Sequence, residues 1–139
     1  MLAKPHRLTA AQDFSAVMRR GAKAGTSTVV AAALISRTPA AGGDRRDAAT
    51  ASWRCGFIVS KAVGNAVVRH RTTRRLRHIV ADLMDTGAIE PPRQARTQIV
   101  IRALAESVQA DHGQLTADVR SGLRRALLRA EKAEARALT

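Results

Sequence analysis

An α+β sandwich, with a small central sheet and helices packed on one face, is the fold this sequence predicts. Three observations carry that expectation. Apolar residues alternate with period two over Trp53 to Ser60, and Thr97 to Ala103 is a second short, well-marked strand. Apolar residues recur with helical spacing before, between and after those stretches. The 139 residues suffice for one moderate core but not two, so residues 1–139 are read as a single domain.

The elements follow in order. Thr9-Ala-Ala-Gln12 fits a capping box, in which Thr9 would cap a helix and Gln12 reach back to it. Phe14, Val17 and Met18 share one face of that helix, and Gly21 is its expected stop. Thr28 to Arg37 reads as a strand through Val29, Val30, Leu34 and Ile35, although a helix would accept the alanines at 31 to 33 equally well. The stretch from Pro39 to Thr50, with Gly42-Gly43 and scattered charge, is expected to be a flexible loop over residues 38–51. In the strand from Trp53 to Ser60, Trp53, Cys55, Phe57 and Val59 point one way, and Arg54, Gly56, Ile58 and Ser60 the other.

Gly64-Asn65 turns the chain into a long helix ending near Gly87, and Glu90-Pro91-Pro92 opens a polar linker. After the strand from Thr97 to Ala103, a last helix should begin between Asp111 and Gln114. Leu115, Val119, Leu123 and Leu127, four apart, form its buried stripe. That stripe is read as core rather than a membrane or pairing face, because so small a domain needs the apolar surface. Residues 132–139 are expected to fray. The order is α-β-β-α-β-α, with room for one more strand near the alanines.

Charge narrows the function. Lys and Arg number 24 against 11 Asp and Glu, a formal +13, which favours a polyanionic partner. The excess is concentrated: no Asp or Glu occurs from Ala48 to Ala81, where Arg54, Lys61, Arg69, Arg71, Arg74, Arg75 and Arg77 stand. On a helical wheel Val68, Thr72, Leu76, Ile79 and Leu83 gather on one side, and His70, Arg71, Arg74, Arg75, Arg77 and His78 on the other. Arg69 falls at the edge of the apolar side. Arginines crowded on one flank repel one another and gain nothing unless phosphates neutralise them. The planar guanidinium also suits phosphate better than an ammonium does.

Enzymatic chemistry by the protein alone is not expected. His6, His70, His78 and His112 are scattered, with no carboxylate pair near any of them in sequence. Cys55, the only cysteine, alternates with apolar strand residues and reads as core. Asp82 and Asp85, three apart, extend a solvated helix face rather than form a metal site, and no metal-ligand spacing appears. No apolar run approaches the ~20 residues of a membrane helix, and Met1 to Arg7 has no apolar signal core, so the expected location is cytoplasmic. A DNA regulator is disfavoured, because the basic helix has no helix-turn-helix partner.

The stretch Val59-Ser60-Lys61, Gly64-Asn65-Ala66-Val67 and Arg69-His70-Arg71 resembles, in order and spacing, the signature of the bacterial ribonuclease P protein family. Weaker likeness extends to His6-Arg7-Leu8, Asp13-Phe14, Gly21 and Ile99-Val-Ile-Arg102. The resemblance implies a sandwich with a left-handed crossover. It also implies a role beside a catalytic RNA that holds Mg²⁺ and cleaves precursor tRNA at its mature 5′ end, with no metal bound by the protein alone and a single copy in the complex. RNA-binding residues would be Lys61, Asn65, Arg69, His70, Arg71, Arg74, Arg75 and Arg77. A cleft for the single-stranded 5′ leader would involve Arg7, Phe14, Met18 and Lys61. His70 replaces the family's central Asn, Ala62 its second Lys, and Thr73 a commonly basic residue. The chain has no Tyr, and its only aromatics are Phe14, Phe57 and Trp53, so leader contacts would lean on charge and aliphatic surface. A ribosomal or other structural RNA-binding protein is the alternative that composition alone leaves open.

Overall fold

The computed structural model describes residues 2–36, 53–93 and 95–137. The expected loop over 38–51 lies outside the described residues. Helix α1 is Ala11–Arg20. Strands β1, Ala22–Gly25, and β2, Val29–Ser36, form a hairpin. Strand β3 is Trp53–Ile58, helix α2 Ala66–Asp85, strand β4 Arg96–Ala103, and helix α3 His112–Ala137. The four strands make one mixed sheet in the order β1-β2-β4-β3, antiparallel except for the parallel pair β3–β4, which α2 connects.

The long helices α2 and α3 pack on one face of this sheet, as expected. Thr72, Leu76, Ile79, Val80 and Leu83 of α2 are buried, and so are Leu115, Val119, Leu123 and Leu127 of α3. They close over Ala31, Ala33, Ile35, Ile99 and Ile101 from the sheet. Each such aliphatic side chain, fully buried, is worth ~1.5–3 kcal/mol. The short α1 rests against the other face, where Val17, Phe14 and Met18 meet Ala32, Leu34, Ile58 and Val100.

The ambiguous alanines are strand residues because of their neighbours. Gly122 of α3 sits so close to β2 that an added Cβ would stand 3.3 Å from the Cβ of Ala31. Small residues on both sides bring the helix down onto the hairpin, and Asp118 ties the two together by accepting from the Thr28 hydroxyl at 2.7 Å.

Three expectations need correction. Thr9 does not cap α1: Ala10 is the N-cap, without a side-chain bond, and its carbonyl accepts from the amides of Asp13 and Phe14 at 3.0 and 3.2 Å. The helix therefore starts one residue late for the capping box. The additional strand lies before the alanines and not among them: it is β1, formed of Ala-Lys-Ala-Gly, residues with little strand preference held by pairing to β2. Helix α3 continues past Glu131 to Ala137.

Both edges of the sheet are covered. Residues Leu2 to Leu8 run beside β3: Arg7 bridges to Cys55, the Leu8 amide donates to the Cys55 carbonyl at 3.1 Å, and His6 stacks on Trp53 with ring centres 3.9 Å apart. At the β1 edge, Arg129 and Arg125 of α3 donate to the carbonyls of Lys23 and Gly25. An edge with its carbonyls occupied is a poor template for pairing with another chain.

Candidate RNA interface

Helix α2 begins where the sequence places it. Asn65 is its N-cap, and its Oδ1 accepts from the Val68 amide at 3.0 Å. The cap fixes where the helix starts, and its buried stripe decides which way each arginine points. With Leu76, Ile79 and Leu83 buried against the sheet, His70, Arg71, Arg74, Arg77 and His78 are exposed. Among the described residues no hydrogen bond or ion pair occupies the side chains of Arg71, Arg74 and Arg77. Their positive charge is left to the solvent side.

Two arginines of the same helix behave differently. Arg75 is half-buried, and its guanidinium donates to the carbonyls of Ser107 at 3.2 Å and Ala110 at 2.7 Å. It thereby fixes the 3-10 turn Ala105–Val108 that leads into α3. Arg69, at the boundary the wheel gives it, is half-buried, and its Nε is enclosed without a partner among the described residues. A buried donor in that state costs ~1–3 kcal/mol.

Lys61 is exposed in the turn after β3, and Val67 at the start of α2 is 68 % exposed. The candidate leader residues gather only in part. Phe14 and Met18 lie on the α1 face of the sheet with Ile58, Leu34 and Val100. Phe14 lies directly on β3, where a Cβ at Gly56 would fall 2.2 Å from its Cζ, so glycine is what lets the ring reach the strand. Arg7 stands at the β3 edge and gives its Nε to the Leu2 carbonyl at 2.9 Å.

Sequence reasoning missed polar neighbours of this surface. The register sets Arg54 beside Gln98 and Ile58 beside Arg102, on the same sheet face as Val100. Arg102 is exposed there. The signal was available: Gln98, Val100 and Arg102 alternate with Ile99 and Ile101, which point into the core.

Cys55 is buried in the core, where loss of solvation pushes its thiol pKa well above the ordinary value. That environment suits packing and not nucleophilic attack. Among the described residues no group of three or more His, Cys, Asp or Glu is placed to hold a metal ion, and no helix is long and apolar enough to cross a membrane.

The family model for Ribonuclease P matches residues 2–127. The chain belongs to the ribonuclease P protein family. Among its relatives, the ribonuclease P protein component of Corynebacterium jeikeium is 43% identical over 137 residues, covering 93% of this chain and 100% of that one. The protein of Corynebacterium efficiens is 45% identical, covering 91% and 95%. Solved structures show the same fold at lower identity. The ribonuclease P protein of Staphylococcus aureus superposes with a TM-score of 0.64 at 19% identity, covering 87% of this chain and 94% of that one. The protein of Thermotoga maritima gives 0.63 at 20%, covering 86% and 96%. The chain is thus the protein component of a ribonucleoprotein enzyme, ribonuclease P, and assists its RNA subunit in maturing the 5′ end of tRNA.

Proposed function

We propose that the exposed flank of α2 docks on phosphates of the RNA subunit, and that the surface between α1 and the sheet receives the single-stranded 5′ leader of precursor tRNA. The observation that carries the first half is the set of exposed arginines, Arg71, Arg74 and Arg77, that no side chain of the described protein neutralises. Phosphate oxygens supply the missing acceptors, bidentate where a guanidinium meets one phosphate squarely. Arg69, half-buried at the edge of this flank, adds its charge beside the exposed arginines. His70, exposed on the same flank, adds hydrogen-bonding capacity. Lys61, exposed in the turn between β3 and α2, adds a further cation for RNA phosphates.

The leader surface is aliphatic with a charged rim. Phe14, Met18, Ile58 and Leu34 give it area. Arg54, Gln98 and Arg102 give it polar contacts, with Arg7 at the sheet edge. A single strand lying there would bind through backbone charge and one aromatic face, so base preference should be weak. In this division of labour the RNA subunit carries the catalytic Mg²⁺, and the protein lowers the Mg²⁺ needed by neutralising phosphates.

The test is reconstitution with a bacterial ribonuclease P RNA at low Mg²⁺. The protein should raise cleavage of precursor tRNA, and Arg71→Glu/Arg74→Glu should abolish the gain. Phe14→Ala/Met18→Ala should weaken binding of precursor tRNA while leaving mature tRNA unaffected. Equal loss for both would remove the leader from that surface.

A further inference from the structure

Helix α3 carries a second basic flank that the α2 site does not use. Arg120, Arg124, Leu128 and Lys132 follow one another at intervals of four and are all exposed, Leu128 by 53 %. Each step rises ~6 Å along the axis. No Asp or Glu occurs between Asp118 and Glu131. Arg120 and Lys132 have no hydrogen bond or ion pair among the described residues, and Arg124 only grazes the Ala88 carbonyl, at 3.5 Å. Arg125 and Arg129, although bonded to the β1 edge, add their charge to the same stretch.

The position of this flank matters as much as its charge. Arg75 reaches Ser107 and Ala110, the rings of His78 and His112 lie 6.3 Å apart, and Arg124 reaches Ala88 just past the end of α2. These contacts advance in the same direction along both segments, so α2 and α3 run parallel, side by side. Both cover the same face of the sheet, so their outer surfaces face the same side of the molecule. Between the two basic stretches stand Asp82 and Asp85, both exposed near the end of α2.

We propose that the exposed flank of α3 is a second docking surface for the phosphate backbone of the RNA subunit. This inference rests on the reading of α2 given above. The RNA subunit is favoured over the leader because the proposed leader surface lies on the opposite face of the sheet. A second contact on the same rigid layer makes binding bivalent: the first docking event raises the local concentration of the second surface without any new fold.

The experiment is binding of the full-length protein to the RNA subunit across a salt series, for the wild type, for Arg120→Glu/Arg124→Glu/Lys132→Glu, and for Arg71→Glu/Arg74→Glu. The α3 variant should bind at least about tenfold more weakly near physiological salt. Its log–log salt dependence should be shallower by about two to three, near one for each phosphate the variant no longer neutralises. Unchanged affinity and slope in the folded α3 variant would overturn the proposal. So would a loss seen only when precursor tRNA is present, which would assign the flank to substrate. An unchanged Arg71/Arg74 variant beside a weakened α3 variant would instead sink the reading of α2.

Tethered cleavage gives a second readout without charge reversal. Cys55 is buried, so Ser121→Cys on the exposed flank supplies the only accessible thiol among the described residues for an iron chelate. Hydroxyl radicals from that position should cut the RNA subunit at discrete sites. Cutting at background level only, beside clear cutting from a probe at Thr73→Cys, would also overturn the proposal.

Discussion

Arginines on the helical layer fall into two groups, and the difference lies in what their guanidinium groups touch. Arg71, Arg74 and Arg77 are exposed and without partners among the described residues. Arg75, Arg125 and Arg129 donate to backbone carbonyls of Ser107, Ala110, Gly25 and Lys23. The first group leaves its charge available to a partner. The second uses its hydrogen-bonding capacity to hold turns and a sheet edge. Net charge counts both groups alike, so it overstates how many arginines are free to meet RNA.

The largest effect that would sharpen this contrast belongs to the free group. Reversing Arg71 and Arg74 to Glu should weaken RNA binding about a hundredfold near physiological salt, ~2.7 kcal/mol, with the melting temperature unchanged. A melting shift comparable to the binding loss would erase the distinction. Next is Arg75→Met, which keeps the apolar stem but strands two carbonyls. It should cost ~1–3 kcal/mol in urea unfolding and leave the salt slope of RNA binding within error of the wild type. A slope shallower by about one would move Arg75 into the RNA-facing group.

Asn65→Ala removes the N-cap of α2 and should cost ~1 kcal/mol in the same assay. RNA affinity should fall little, because the buried stripe still orients the helix; a tenfold loss would give Asn65 a direct contact. The smallest effect concerns Cys55, the buried group outside both sets. Its thiol is neutral in the folded chain, whereas the unfolded chain ionises from the ordinary value of 9.0 upward. Stability from this residue is intact below that value and declines as pH rises beyond it. By pH 10 the wild type should lose ~1 kcal/mol relative to Cys55→Ala in denaturant titrations. Parallel pH profiles for the two would mean the thiol is accessible.

Much of this was legible in the sequence, for identifiable reasons. The strand at 53–58 and the stripe Leu115, Val119, Leu123, Leu127 were readable because burial imposes a period on any chain that folds this way. The α2 flank was readable because charge crowded at helical spacing needs a partner. Arg75 shares that flank on a helical wheel, which does not contain Ser107 or Ala110. Strand β1 has no apolar pattern of its own, so the sequence does not mark its position. Gln98 and Arg102 lie on the face of β4 that the buried residues Ile99 and Ile101 do not mark.

The sequence by itself determined the family motif, the sheet's inward residues and a helix with one apolar and one basic side, since each is written in local spacing. Tertiary structure decided which arginines are committed to carbonyls, that α1 takes the face opposite α2 and α3, and that Ala22–Gly25 is a strand. The physical reason is distance along the chain. The carbonyl that meets Arg129 lies 106 residues away, and no local period records a contact that only folding creates.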